Sequence, residues 1–213
     1  EPDPQQNEEW NRGAYLAEGL GHCGACHTPR NTLGAVERSR HFSGGEAEGW
    51  VAYAINRDSP APIPWDKDAL AFFLRNGWHE LHGVSRGPMA EVTGNLAGLP
   101  DSDIQAIATY VASRMGEPTP ERKATADRLR AEISKPAKIE SVALDENALT
   151  GEAIYRSACA SCHESGRPSP FGGLDFRLST AVHAPDPQNI VNITLFGLPP
   201  ADGEASAVMP GFA

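Results

Sequence analysis

Two short stretches of this 213-residue chain repeat one arrangement of reactive side chains. They are Cys23, Cys26 and His27 in GHCGACHTPR, and Cys159, Cys162 and His163 in CASCHE. Together they use all four cysteines, so none is left for a separate disulfide or a reactive free thiol. Two thiols at this spacing can form a redox disulfide or hold half of a zinc site. They can also bond to the two vinyl positions of one haem whose iron takes the adjacent imidazole. A redox dithiol is expected at a helix start after a strand, whereas both pairs here follow helical segments. A zinc site must join pairs that lie most of the chain apart, and it leaves the duplicated histidine without a role. The haem reading uses every element and predicts two covalently bound haem c groups, anchored by the cysteines, with His27 and His163 as iron ligands.

An iron in an electron carrier needs a second axial ligand, far enough along the chain for the polypeptide to wrap the cofactor. Of three methionines, Met89 lies in RGPMAEV after the first motif and Met209 in SAVMPGFA after the second. Both sit beside Pro and Gly and are expected in loops that bring a thioether to iron. Met115 reads as a core filler. His22, His41, His79, His82 and His183 read as ordinary surface or hydrogen-bonded residues. His79 and His82 precede Met89 in GWHELHGVSRGPM and are its rivals for the first iron. A backbone carbonyl is expected to hold the ring N–H of each motif histidine, and the loops containing Pro29 and Pro168 are the expected source.

The elements that must position these groups repeat as well. EEWNRGAYLAEGLGHCGACH and ALTGEAIYRSACASCH each read as a helix that delivers the thiols at its end. A second helix is expected in WDKDALAFFLRNGW. LPDSDIQAIATYVAS is the clearest, with Pro100 and Asp101 supplying start and cap and Ile104, Ile107, Ala108 and Val111 forming an apolar stripe. Residues 117–145 balance six basic against six acidic side chains and include a possible short helix from Glu121 to Ser134. They read as a charged linker between a first domain, residues 1–116, and a second, residues 146–213, with packing of its helix on either domain as the alternative.

The composition excludes several classes. A formal charge of −10, spread as −6 and −4 over the two domains, argues against nucleic-acid binding. No apolar run is long enough to span a bilayer, and EPDPQQNEEW is acidic where a signal peptide would be basic and then apolar. The chain therefore reads as soluble, and as mature or trimmed. Frequent Gly and Pro with few aromatics point to thin cores that a cofactor helps to fill.

On RGAYLAEGLGHCGACHTPRNTLGA, RGPMAEVTGNLAGLPDSDIQAIATYV, GEAIYRSACASCH, NIVNITLFGLPP and MPGF, the chain resembles the multihaem cytochrome c subunits of periplasm-facing, membrane-bound alcohol, aldehyde and sugar-acid dehydrogenases. The resemblance covers most of the chain outside the linker. It implies an all-α fold of two tandem class I cytochrome c domains, with His27 paired with Met89 and His163 with Met209 on the irons. It also implies an electron-transfer subunit that is not an enzyme by itself. Such a subunit relays electrons from a dehydrogenase catalytic subunit to quinone, a terminal oxidase or another cytochrome. Its expected place is the periplasm, with membrane association only through a partner or an anchor outside the chain. The family commonly carries three haem motifs, and its domains continue into a closing helix after the distal methionine. With two motifs, and an end four residues after Met209, the resemblance implies truncation. The alternatives are a free dihaem shuttle and a dihaem enzyme of the peroxidase or thiosulfate dehydrogenase type. The peroxidase needs a distal position that can open, and the thiosulfate enzyme typically uses a distal cysteine.

Overall fold

The structure, a computed structural model, describes residues 2–133, 146–165, 167, 173–199 and 209–213. Helix α1, Glu8–Tyr15, is capped by Asn7, whose side chain accepts from the Trp10 backbone N–H. Glu8 and Glu9 place negative charge against its positive end. The helix then widens into a π turn, Leu16–Leu20, and a single turn, α2 (Gly24–His27), carries the first motif. A hairpin follows, with β1 (Gly45–Ala47) antiparallel to β2 (Trp50–Ala52). Its turn residues Glu48 and Gly49 both have positive φ, 54° and 77°, the combination a two-residue type I′ turn requires.

Helix α3, Lys67–Asn76, starts at Asp66, whose carboxylate accepts from Ala69 N–H, and stops at Gly77 in the left-handed conformation. A minimal hairpin pairs β3 (Trp78–His79) with β4 (Gly83–Val84). Helix α4, Pro88–Leu96, opens on a proline, where a missing N–H leaves no bond unmade. Helix α5, Asp101–Met115, is the amphipathic helix expected from the sequence, and Ile104, Ile107, Ala108 and Val111 are all buried. Pro100 stands at its boundary without a side-chain cap, and Asp101 and Asp103 supply first-turn charge instead. Further α-helices among the described residues are α6 (Pro120–Ile133), α7 (Glu146–Ala158), α8 (Ala160–His163), α9 (Thr180–His183) and α10 (Gln188–Phe196).

The main core forms where α1 crosses α5. Leu16, Phe42, Leu74, Ile107, Tyr110 and Met115 belong to one buried cluster, so Met115 is the core filler its position implied. Trp10 stands edge-on to Tyr110 at 5.0 Å and donates through Nε1 to Ser113 Oγ. Arg12 forks onto both carboxylate oxygens of Asp103 at 2.8 Å. At the crossing, a Cβ on Gly13 would lie 1.9 Å from the Ala106 carbonyl oxygen, so the two backbones touch.

The fold is predominantly helical, as expected, with two small hairpins added. The expected helix within the connector exists as α6, and it packs on the rest of the chain, one of the two arrangements open to it. Ala126 is buried in a second cluster with Ile63 and Leu178. The Arg122 guanidinium donates to the carbonyls of Arg57, Ser59 and Ala61 at 3.0–3.2 Å. One small residue and one arginine fork suffice to dock the helix. Residues 134–145 of the connector lie outside the described residues.

Candidate haem sites

In the first site, the helical turn of α2 sets Cys23, Cys26 and His27 three and four residues apart, on one side of the turn. Cys23 N–H bonds to Ala17 O in the π turn at 2.9 Å, and His27 N–H to Cys23 O at 3.0 Å. The β1 strand presses on this turn, since a Cβ on Gly45 would be 2.4 Å from the Cys26 carbonyl oxygen. His27 Nδ1 lies 2.6 Å from the Tyr53 carbonyl oxygen. A carbonyl only accepts, so Nδ1 carries the proton and Nε2 keeps its lone pair, the form that binds a metal. Burial holds the His27 pKa below the ordinary value, against the opposing pull of the Tyr53 carbonyl, and this favours the neutral ring. Burial also pushes the Cys23 thiol up to about 11.

The second site repeats the arrangement on α8. His163 N–H bonds to Cys159 O at 3.1 Å, and its Nδ1 lies 3.0 Å from the Leu174 carbonyl oxygen. Its ring stacks on Phe176 at 4.1 Å. Gly173 makes this possible, because a Cβ there would be 2.3 Å from His163 Nδ1. The expected backbone carbonyls are therefore present, but the first does not come from the Pro29 loop. Pro29 O accepts from Glu37 N–H, and the chain must run on to Tyr53 before a carbonyl faces His27. Pro168 lies outside the described residues.

Met89 and Cys23 both pack, partly buried, on the main core cluster. Contrary to the loop expected for it, Met89 is the second residue of α4, because Pro88 starts a helix at once after Gly87. Gly87, at φ 57°, leaves room for the Trp50 ring, which a Cβ would meet at 2.6 Å. Met209 is tied to the end of α10 by Leu198 N–H donating to Met209 O at 2.8 Å. Arg86, three residues before Met89, donates to Gly197 O at 3.2 Å, so the two methionine segments meet through one guanidinium. Tyr53, Leu174, Gly45 and Gly173 were missed in the sequence. A carbonyl acceptor has no sequence signature, and the two glycines stood among many.

The other histidines divide by environment. His41 bonds Glu18 at 2.8 Å. His183 Nε2 lies 2.9 Å from Arg177 O, so that nitrogen carries the ring proton and donates. His82 is buried, lies flat on Trp65 at 3.5 Å, and among the described residues has no hydrogen-bond partner on either ring nitrogen. Burial, with His79 and Arg130 nearby, depresses its pKa to about 3. The unfolded ring titrates near ~6.5. Stability is therefore present above that value and lost as pH falls towards 3. Replacing His82 by Phe should recover about 2 kcal/mol of the stability that the wild type loses between pH 7 and roughly pH 4.5, measured by urea unfolding at both pH values.

None of the four cysteines is in a disulfide, and among the described residues no group of three His, Cys, Asp or Glu side chains converges on a metal position. The arrangement thus supplies no all-thiolate zinc site. Two free thiols beside a half-buried imidazole of defined tautomer, with a thioether on the same core at the first site, fit a covalently attached haem.

A family profile described as cytochrome C oxidase, cbb3-type, subunit III matches residues 146–213. Over its whole length the chain is 39% identical to a nicotinate dehydrogenase subunit of Pseudomonas putida, covering 17% of that protein. It is 31% identical to a fructose dehydrogenase cytochrome subunit of Gluconobacter japonicus, over 99% of the chain and 45% of the relative. It is 32% identical to a gluconate 2-dehydrogenase cytochrome c subunit of Pantoea cypripedii, over the whole chain and 49% of the relative. The chain spans less than half the length of each. With the site geometry and these likenesses together, residues 146–213 carry a cytochrome c domain, and the whole chain is homologous to cytochrome c subunits of dehydrogenases.

Proposed function

We propose that this chain holds two haem c groups and relays electrons for a dehydrogenase. Residues 1–116 hold the first haem through Cys23 and Cys26, with His27 and Met89 as axial ligands. Residues 146–213 hold the second through Cys159 and Cys162, with His163 and Met209. The observation that carries the reading is the repeated imidazole geometry: each motif histidine donates Nδ1–H to a main-chain carbonyl, His27 to Tyr53 and His163 to Leu174. That bond fixes the tautomer, orients the ring and strengthens the nitrogen left for iron.

When bound, each haem supplies one-electron exchange between ferric and ferrous iron. The chain's own residues do the rest. The cysteines fix the position of the group, the packing of Cys23 and Met89 on the main core keeps water from one side, and the imidazole–thioether pair sets a higher potential than two imidazoles would. Electrons come from a catalytic subunit of a dehydrogenase and leave to quinone, a terminal oxidase or another cytochrome; the chain itself carries out no substrate chemistry. Three relatives named as dehydrogenase subunits support this partner class. No helix among the described residues is long and apolar enough to cross a membrane, and covalent haem attachment accords with the periplasm.

A spectroelectrochemical titration of the haem-loaded protein tests the proposal. Two haems should titrate at positive potentials with the weak near-infrared band of methionine-ligated ferric haem. One haem per chain, or one at strongly negative potential without that band, would overturn the assignment of ligands.

A further inference from the structure

Helix α10 reaches from the second half of the chain into the first through two buried asparagines. Asn189 Oδ1 accepts from Val51 N–H at 2.8 Å, and its Nδ2 donates to Val51 O at 2.9 Å. Asn192 Nδ2 donates to Gly49 O at 3.0 Å. The Asn189 amide thus pairs with residue 51 as a neighbouring strand would, and satisfies the edge of β2 that β1 leaves open. The buried Tyr53 hydroxyl also lies against Asn189 without a hydrogen bond of good geometry. Asn189 therefore touches the main chain two residues before Tyr53 and the side chain of Tyr53 itself. The Tyr53 carbonyl is the group that holds His27 Nδ1 at 2.6 Å.

We infer that Asn189 is a positioning residue for the first haem: by fixing β2 from outside, it sets the length of the Tyr53–His27 hydrogen bond and so the potential of that iron. The inference rests on the assignment of His27 as an iron ligand. A short bond from Nδ1–H to a carbonyl places more negative charge on the ring, which favours ferric iron and lowers the potential. Loosening β2 lengthens the bond and raises it. The effect is directional, because Asn189 makes no corresponding contact with the Leu174 carbonyl that holds His163.

The test is a redox titration of the haem-loaded Asn189→Ala protein. Haem content per chain and the methionine band are measured on the same sample, and the first haem is identified by the Met89→His variant. The expected result is a rise for the first haem alone, with its reduction equilibrium changed roughly threefold, or about 30 mV at ~59 mV per decade for one electron. Asn192→Ala, which frees only the hairpin tip, should shift it less. Should Asn189→Ala fail to fold, Asn189→Ser keeps a neutral polar side chain too short to span both Val51 groups, and a rise of the first haem alone is again expected. Equal shifts of both haems, or no shift in a folded variant with two haems, would overturn the inference. A wild-type chain that lacks a His27-ligated haem would instead overturn the underlying assignment.

Discussion

Replacing Gly13 by alanine should cost the protein about 3–5 kcal/mol, enough to unfold much of a chain of ordinary marginal stability. The added methyl would sit 1.9 Å from the Ala106 carbonyl oxygen and 2.6 Å from its carbon, both main-chain atoms that no rotamer change can move. Relief requires α1 and α5 to separate by more than an ångström. That loosens the cluster of Leu16, Ile107 and Tyr110 and the edge-on contact of Trp10 with Tyr110. Gly151 in α7 is the internal control. No described residue lies within 4 Å of its added Cβ, so Gly151→Ala should stabilise by about 0.5–1 kcal/mol through helix propensity alone. Paired urea unfolding curves would read both effects. Equal changes in the two variants would show that the α1–α5 contact is looser than described.

Replacing Met89 by histidine should lower the potential of the first haem by a few tenths of a volt, a large part of the roughly 0.8 V that axial ligation spans. A thioether stabilises ferrous iron relative to a second imidazole, so the exchange favours the ferric state. Met89 stands at the start of α4 on the same core as Cys23, in a helix whose Thr93 hydroxyl donates to Met89 O. The backbone position should therefore survive the substitution. The near-infrared methionine band should fall by half, the second haem keeping its share. A protein that retained the full band and both potentials would remove Met89 from the first iron.

The local parts of this fold were readable because they depend on neighbours in sequence. The Ile104, Ile107, Ala108 and Val111 stripe marked α5, and the repeated segments ahead of the two motifs marked the helices that lead into the thiols. What escaped depends on residues far apart or on atoms common to all residues. The carbonyls of Tyr53 and Leu174 could have been any carbonyls. The β1–β2 hairpin turns on Glu48–Gly49, and glutamate at a positive-φ position is a weaker signal than asparagine or aspartate. Met89 was placed in a loop because Gly87 and Pro88 read as breakers, whereas Pro88 is a helix start. The sequence left the docking of α6 open, and it rests on Arg122 and Ala126.

The Asn189–Val51 pairing has a consequence for the order in which the molecule is made. His27 meets its carbonyl across 26 residues, but the strand carrying that carbonyl gains its outer partner only across 138. Closing the longer loop costs about 1.5 kcal/mol more in chain entropy than closing the shorter one. A chain emerging from its amino end can fold α1 to α5 and present both thiols of the first motif well before α10 exists. The contacts around the first motif can thus form early, and the strand that carries the Tyr53 carbonyl gains its outer support late, once α10 has been made.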